Sequence, residues 1–142
     1  MRHYLEFFLL LGGLSLGALC LASLWIPKIL KWKEKLVALT PLMRELWWTY
    51  SIYVYGSHIF FTVLALGFRD FLLGRTAGAA AMSSFIFLWW TVRLYLQFFG
   101  FDLEEVEDTF WNRLAKHALT TLFIYLVLLF GSLVLWNLGL IN

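Results

Sequence analysis

Arg93 is the most unusual polar residue of the chain, because it lies inside the apolar stretch LWWTVRLYLQFF. Its Cα is about 10 Å from the end of that stretch at ~1.5 Å per helical residue. A charged side chain within an apolar span suggests a function by default, with snorkelling to a headgroup phosphate as the alternative. Trp89 and Gln97 lie one turn before and one turn after Arg93. This face predicts recognition of an anionic or carbonyl group, or hydrogen bonding to a neighbouring helix.

Two further polar stripes recur at helical spacing. Their members are Ser51, Tyr55, His58 and Thr62 in one stretch and His117, Thr121 and Tyr125 in another. Such faces in apolar helices are expected to point towards other helices rather than lipid. Counted inward along their helices, Tyr55, Tyr125 and His58 lie about 12, 14 and 17 Å deep. These depths are close to that of Arg93, so the stripes could meet, either as a ligand-binding site or as a set of satisfied hydrogen bonds.

The sequence shows no nucleotide-binding loop, nucleophile elbow, thiol pair or Glu-x-x-His spacing. It therefore requires no cofactor and predicts no metal site. Haem is the cofactor that histidines in a four-helix membrane protein could hold. His58 and His117 differ in depth and His3 belongs to the opposite end, which argues against two axial histidines from one chain. A haem with a single histidine, or one shared between subunits, stays open.

Composition indicates the elements that position these residues. Hydrophobic residues make up 62% and charged residues 14% of the 142 positions, against about 25% charged in typical soluble proteins. Windows of about 20 apolar residues, the length that crosses a bilayer, occur at 5–26, 47–68, 76–100 and 116–138. We therefore expect an all-α, polytopic integral membrane protein of one domain, 1–142, with four transmembrane helices in a bundle. A net charge of +2 argues against nucleic acid as a partner.

Lys and Arg residues near the span ends predict the orientation. Seven lie on the side of the two long connections and three on the side of the termini; the seven are Lys28, Lys31, Lys33, Lys35, Arg44, Arg113 and Lys116, and the three are Arg2, Arg69 and Arg75. This asymmetry predicts cytoplasmic long connections and both termini on the non-cytoplasmic side, in a membrane such as the bacterial inner membrane.

Both long connections are expected to be amphipathic helices at the membrane surface. The first carries an apolar stripe from Ile29 to Leu46, and Thr40 followed by Pro41 is typical of a helix start, so the second span is expected to begin near Pro41. The second has a capping-box pair at Asp102 and Glu105. Its apolar stripe consists of Leu103, Val106, Phe110 and Leu114, and this helix is expected to continue into the fourth span.

Three functional classes remain. The first is a non-catalytic membrane module, which is an accessory subunit of a larger complex or a binder of a lipid or other lipophilic ligand around Arg93. The second is an enzyme acting on a lipophilic substrate, with His58 or a tyrosine moving a proton. The third and least favoured is a dimeric transporter, since four-helix multidrug exporters carry a carboxylate within the first span. Gly13 and Gly17 form a G-x-x-x-G that allows close helix approach within the bundle or in a homo-oligomer.

Overall fold

The computed structural model describes residues 1–100 and 107–142, and every regular element in these ranges is helical. The helices are α1 (Arg2–Ser23), α2 (Ile26–Ile29), α3 (Trp32–Lys35), α4 (Pro41–Gly67), α5 (Arg69–Leu72), α6 (Ala77–Phe99) and α7 (Phe110–Asn137), with a 3₁₀ turn at Leu36–Ala38. The prediction of an all-α fold is therefore confirmed for the described ranges.

In the described ranges, four helices are long and apolar enough to cross a membrane, and each overlaps most or all of one predicted span. They are α1 with its extension to Ile29, together with α4, α6 and α7. Both α4 and α7 begin six residues before their apolar windows, at Pro41 and at Phe110. The window analysis marks where the chain is apolar enough for lipid, whereas the helices also include the more polar turns that precede those stretches.

Threonine N-caps explain where the three later long helices begin. The Thr40 hydroxyl accepts a hydrogen bond from the Met43 amide at 3.4 Å, and Pro41 occupies the first helical position. Thr76 and Thr109 cap α6 and α7 in the same way, at 3.1 and 3.2 Å. Each hydroxyl satisfies an amide that has no partner within its helix. The predicted start of the second span near Pro41 is confirmed.

The first connection differs from the single amphipathic helix that its apolar stripe predicts. Lys31 has a left-handed backbone (φ 52°), and Leu39 is extended (ψ 151°), so α2, α3 and the 3₁₀ turn are separate short elements. Pro41 also disfavours a helical conformation at Thr40. The connection is nevertheless attached to α4, because the Trp32 ring packs edge-on against Trp47 and Trp48 with centroids 5.3 and 5.8 Å apart.

Part of the prediction for the second connection concerns residues outside the described ranges, namely the capping-box pair Asp102 and Glu105 and the stripe members Leu103 and Val106. The remaining stripe members, Phe110 and Leu114, lie in α7 and are exposed. Since α7 runs unbroken from Phe110 to Asn137, the end of this connection does continue into the fourth apolar span.

The first long helix, α1, packs against both α4 and α7, and α6 packs along α7. Adjacent glycines make this double contact possible. A Cβ at Gly12 would lie 2.5 Å from Leu129 Cδ2 on α7, and a Cβ at Gly13 would lie 2.5 Å from Leu66 Cδ2 on α4. Gly17 also faces α4, with its Cβ position 3.7 Å from Thr62 Cγ2. The G-x-x-x-G surface is thus in contact with a helix of the same chain.

Hydrogen bonds join both termini to the connection between α4 and α6. Arg2 pairs with Asp70 at 3.1 Å. Asn137, at the end of α7, accepts from the Arg75 amide at 3.0 Å and donates to the Leu72 carbonyl at 2.8 Å. The N-terminus, this connection and the C-terminus therefore lie at one end of the molecule, which is the grouping on which the orientation argument depends.

Candidate functional site

Four buried or half-buried aromatic side chains and Arg93 meet where α4, α6 and α7 come together. The cluster consists of His58 on α4, Trp89, Trp90 and Arg93 on α6, and Phe123 on α7, and we call it the His58 cluster. Trp90 is fully buried, and His58 and Phe123 are 7% and 2% exposed. Each of these side chains is far from its helix ends, so the cluster belongs to the interior of the fold.

Three rings form a continuous stack across the helices. The His58 imidazole lies on the Trp90 indole with centroids 5.1 Å apart and an interplanar angle of 24°. The opposite neighbour of Trp90 is Phe123, at 5.4 Å and 29°. Trp89 completes the surroundings of His58 with an edge-on contact at 6.3 Å and 86°. These separations are within the range for favourable aromatic pairs.

Arg93 places the positive charge of the cluster next to this stack. Its guanidinium carbon is 5.4 Å from the centroid of the Phe123 ring, within the ~6 Å range of a cation–π contact. His58 and Arg93, the two leading candidates from the sequence, therefore contact the same aromatic cluster, His58 through Trp90 and Arg93 through Phe123.

Three nitrogen atoms of the stack are buried without a hydrogen-bond partner among the described residues. They are Nδ1 and Nε2 of His58 and Nε1 of Trp90. An unsatisfied buried polar group costs about 1–3 kcal/mol, because the water that it loses is not replaced. Such atoms are rare in native proteins and usually meet an ordered water, an ion or a ligand. The stack therefore has unused hydrogen-bonding capacity at an apolar location.

The stripe on α7 does not reach this cluster, contrary to the expectation that the three stripes could converge. The Tyr125 hydroxyl donates to the Phe8 carbonyl of α1 at 2.6 Å, while His117 and Thr121 are exposed. The α7 side chain that contacts the cluster is Phe123, which is not a member of the polar stripe. It lies two residues before Tyr125, which rotates it by about 200° around a helix at ~100° per residue.

The stripe on α4 also divides. The Thr62 hydroxyl donates to the backbone carbonyl of His58 at 2.8 Å and lies 3.8 Å from Cys20 Sγ, so it faces α1. Ser51 donates to the Trp47 carbonyl of its own helix at 2.7 Å. Tyr55 on α4 and Gln97 on α6 are half-buried. Of the residues singled out from the sequence, the structure brings together His58, Trp89 and Arg93.

Two members of the His58 cluster, Trp90 and Phe123, are missed when site residues are chosen from polar stripes. Trp90 belongs to the buried face of α6, together with Ala79, Ser83 and Ile86. The steps of three and four between these residues are the sequence signal that marks Trp90 as facing other helices. Selection by polarity identifies Arg93 and its one-turn neighbour Trp89. It does not identify Trp90, whose ring nitrogen is the polar atom of an otherwise apolar side chain.

The described residues contain no group of three or more His, Cys, Asp or Glu side chains that could hold a metal ion. The chemistry available at the His58 cluster is consequently hydrogen bonding by ring nitrogens, stacking by flat aromatic rings and attraction by one guanidinium. No protein-family model matches the chain, and comparisons with curated proteins and with solved structures give no match either.

Proposed function

We propose that this protein is an integral membrane protein whose four long helices form a bundle in the bilayer, and that its His58 cluster binds the polar head of a lipophilic molecule. The observation that carries the proposal is the set of three buried ring nitrogens without partners beside the Arg93 side chain. A ligand that hydrogen-bonds these atoms would offset the cost of burying them.

The surroundings of the cluster favour a ligand that reaches it from lipid. His58 is 11 residues into the apolar window 47–68 of α4, about 17 Å from its start at ~1.5 Å per residue. At such a depth in a bilayer the only abundant molecules are lipids and other apolar compounds. Exposed apolar side chains extend along all four long helices, which supports lipid as their solvent.

A binding module is favoured over an enzyme because the cluster offers recognition groups only. His58 has no hydrogen-bonded carboxylate or other orienting partner among the described residues, whereas a general base is normally held by such a group. The protein would act as a lipid-binding subunit or as an accessory subunit of a membrane complex. Cytoplasmic long connections, location in the bacterial inner membrane and assembly into a homo-oligomer remain parts of this proposal.

The test is to identify the molecules that co-purify with the protein in lipid nanodiscs. Wild type and His58→Phe would be isolated in parallel, with His3→Phe as the matched control because His3 is exposed in α1. We expect a stoichiometric lipophilic molecule in wild type and in the control, reduced at least about tenfold in His58→Phe, since one lost buried hydrogen bond corresponds to roughly that factor. An equal amount in all three preparations, or none in any, would contradict the proposal. A Soret absorption band lost only in His58→Phe would instead assign a haem held by a single histidine.

A further inference from the structure

The unpartnered atoms of the His58 cluster also restrict the chemistry of the head group, and this inference rests on the ligand-binding function proposed above. The Trp90 Nε1–H can only donate a hydrogen bond, whereas a neutral imidazole has one donor and one acceptor nitrogen. The three atoms without partners thus offer two donors and one acceptor. A head group that satisfies all of them must be able to accept and to donate.

This requirement separates the common polar groups of lipophilic molecules. Carbonyl, ether and phosphodiester oxygens accept only, so they leave the acceptor nitrogen of His58 without a partner. An ammonium group donates only, so it leaves both ring N–H groups without an acceptor. A hydroxyl group both donates and accepts, and it carries no charge. Of these groups, only a hydroxyl meets the requirement for donor and acceptor.

The walls of the cluster indicate that the hydroxyl belongs to a flat ring. Phe61 on α4 contacts Trp89 edge-on at 5.5 Å and also lies 6.4 Å from Trp90. The two rings that carry the unpartnered nitrogens, His58 and Trp90, thus have aromatic rings as neighbours. Aromatic ligands pack on such surfaces in offset or edge-to-face geometry. An aromatic hydroxyl satisfies both the hydrogen-bonding and the packing requirement.

Such a molecule would reach the His58 cluster through the junction between α4 and α6. In the described part of the chain these two helices are not among the closely packed pairs, in contrast to α1 with α4. Large rings fill the space between them, and Phe85 and Phe61 pair across it at 6.1 Å. Phe85 is 52% exposed on the outer surface. A tail that passes beside Phe85 at this junction would reach the exposed surface.

We infer that the His58 cluster binds a phenol or hydroquinone head group whose apolar tail leaves the protein between α4 and α6. One ring hydroxyl accepts from Trp90 Nε1–H and donates to the unprotonated imidazole nitrogen of His58. The ring lies against the aromatic walls, and the tail follows the exposed side of Phe85.

The test compares three probes that differ only at the oxygens: a decyl-substituted hydroquinone, the corresponding quinone and the hydroquinone dimethyl ether. Each is equilibrated without oxygen with nanodiscs that contain the protein and with empty nanodiscs, and the retained amount is measured by mass spectrometry. We expect the hydroquinone to bind at least about tenfold more tightly than the dimethyl ether, the factor for one buried hydrogen bond. Equal retention of hydroquinone and dimethyl ether would overturn the inference.

Matched variants locate the binding. Trp90→Phe keeps a flat ring and removes only the N–H, so it should reduce the preference for the hydroquinone, whereas Trp111→Phe should not, because Trp111 is exposed at the start of α7. If His58→Phe fails to assemble, an NMR measurement on the wild type takes its place. It records the ¹⁵N signals of the imidazoles of the three histidines. Addition of hydroquinone should shift the signals of one buried imidazole only. Unchanged signals, or a Trp90→Phe variant with full preference, would contradict the assignment.

The two proposals fail in distinguishable ways. A phospholipid that co-purifies in a His58-dependent manner, with no preference for the hydroquinone over its dimethyl ether, would overturn the inference about the head group and leave the binding function standing. The absence of any His58-dependent molecule in both experiments would overturn both.

Discussion

The imidazole of His58 lies face to face with the indole of Trp90, at a centroid separation of 5.1 Å, and none of their three ring nitrogens has a hydrogen-bond partner in the described ranges. Phenylalanine at either position would supply a comparable flat surface without a buried polar atom. Packing alone thus does not explain why these positions hold nitrogen-containing rings, and the proposed binding function rests on this observation.

Replacement of His58 by phenylalanine should make the ligand-free protein more stable. The substitution removes two buried nitrogens without partners, each of which costs about 1–3 kcal/mol, and it retains the stack on Trp90. We expect the free energy of unfolding, measured by SDS titration in mixed micelles after delipidation, to rise by ~1 kcal/mol or more. His3→Phe should leave it unchanged. A decrease would show that the imidazole already has a favourable partner in the ligand-free protein.

Replacement of Gly13 by alanine should weaken the contact between α1 and α4. The added methyl would lie 2.5 Å from Leu66 Cδ2 and 3.2 Å from Ala65 Cβ, and the second neighbour has no rotatable side chain with which to move away. Overpacking of this kind typically costs about 1–3 kcal/mol, which SDS titration can resolve. Gly56→Ala is the control, because no atom lies within 4 Å of its Cβ position. Equal effects of the two substitutions would refute the close approach at Gly13.

Replacement of Asn137 by alanine should loosen the end of the molecule that holds both termini. The amide donates to the Leu72 carbonyl at 2.8 Å and accepts from the Arg75 amide at 3.0 Å, and it is 8% exposed. Loss of the first bond leaves the carbonyl of the buried Leu72 without this donor, at about 1–3 kcal/mol. We expect a lower thermal midpoint and faster hydrogen exchange at the Arg75 amide, which loses its acceptor. Asn142→Ala removes an exposed contact with Arg75 and should change neither quantity.

Much of the fold could be predicted because it depends on local sequence. Four apolar windows correspond to four long helices, and the Thr40–Pro41 pair marks the start of α4 as expected. The first connection could not be predicted as well, because the left-handed backbone at Lys31 interrupts an otherwise helical pattern. Such an interruption depends on how Trp32 reaches the α4 tryptophans rather than on residue spacing.

The candidate site could be predicted from the sequence only in part. The depth of His58 and of Arg93 along their helices could be anticipated, since it follows from position within the apolar spans. Whether the two residues face one common site could not, because the order of the helices in the bundle is not encoded in residue spacing. Which face of α7 points towards them could not, because it depends on the rotation of α7 against α1 and α6. The hydrogen bond from Tyr125 to Phe8 and the burial of Phe123 reflect that rotation, which the polar stripe of α7 does not indicate.

The adjacent glycines of α1 have a consequence for the order of biogenesis. Gly13 meets a helix that ends at Gly67, whereas Gly12 meets a side chain at Leu129. Leu66, the neighbour of Gly13, is therefore synthesised some sixty residues before Leu129, the neighbour of Gly12. In the membrane location proposed above, α1 and α4 can pair during that interval while lipid covers the neighbouring groove at Gly12. Arrival of α7 would displace that lipid, so the helix assembly can close only after α7 has been synthesised.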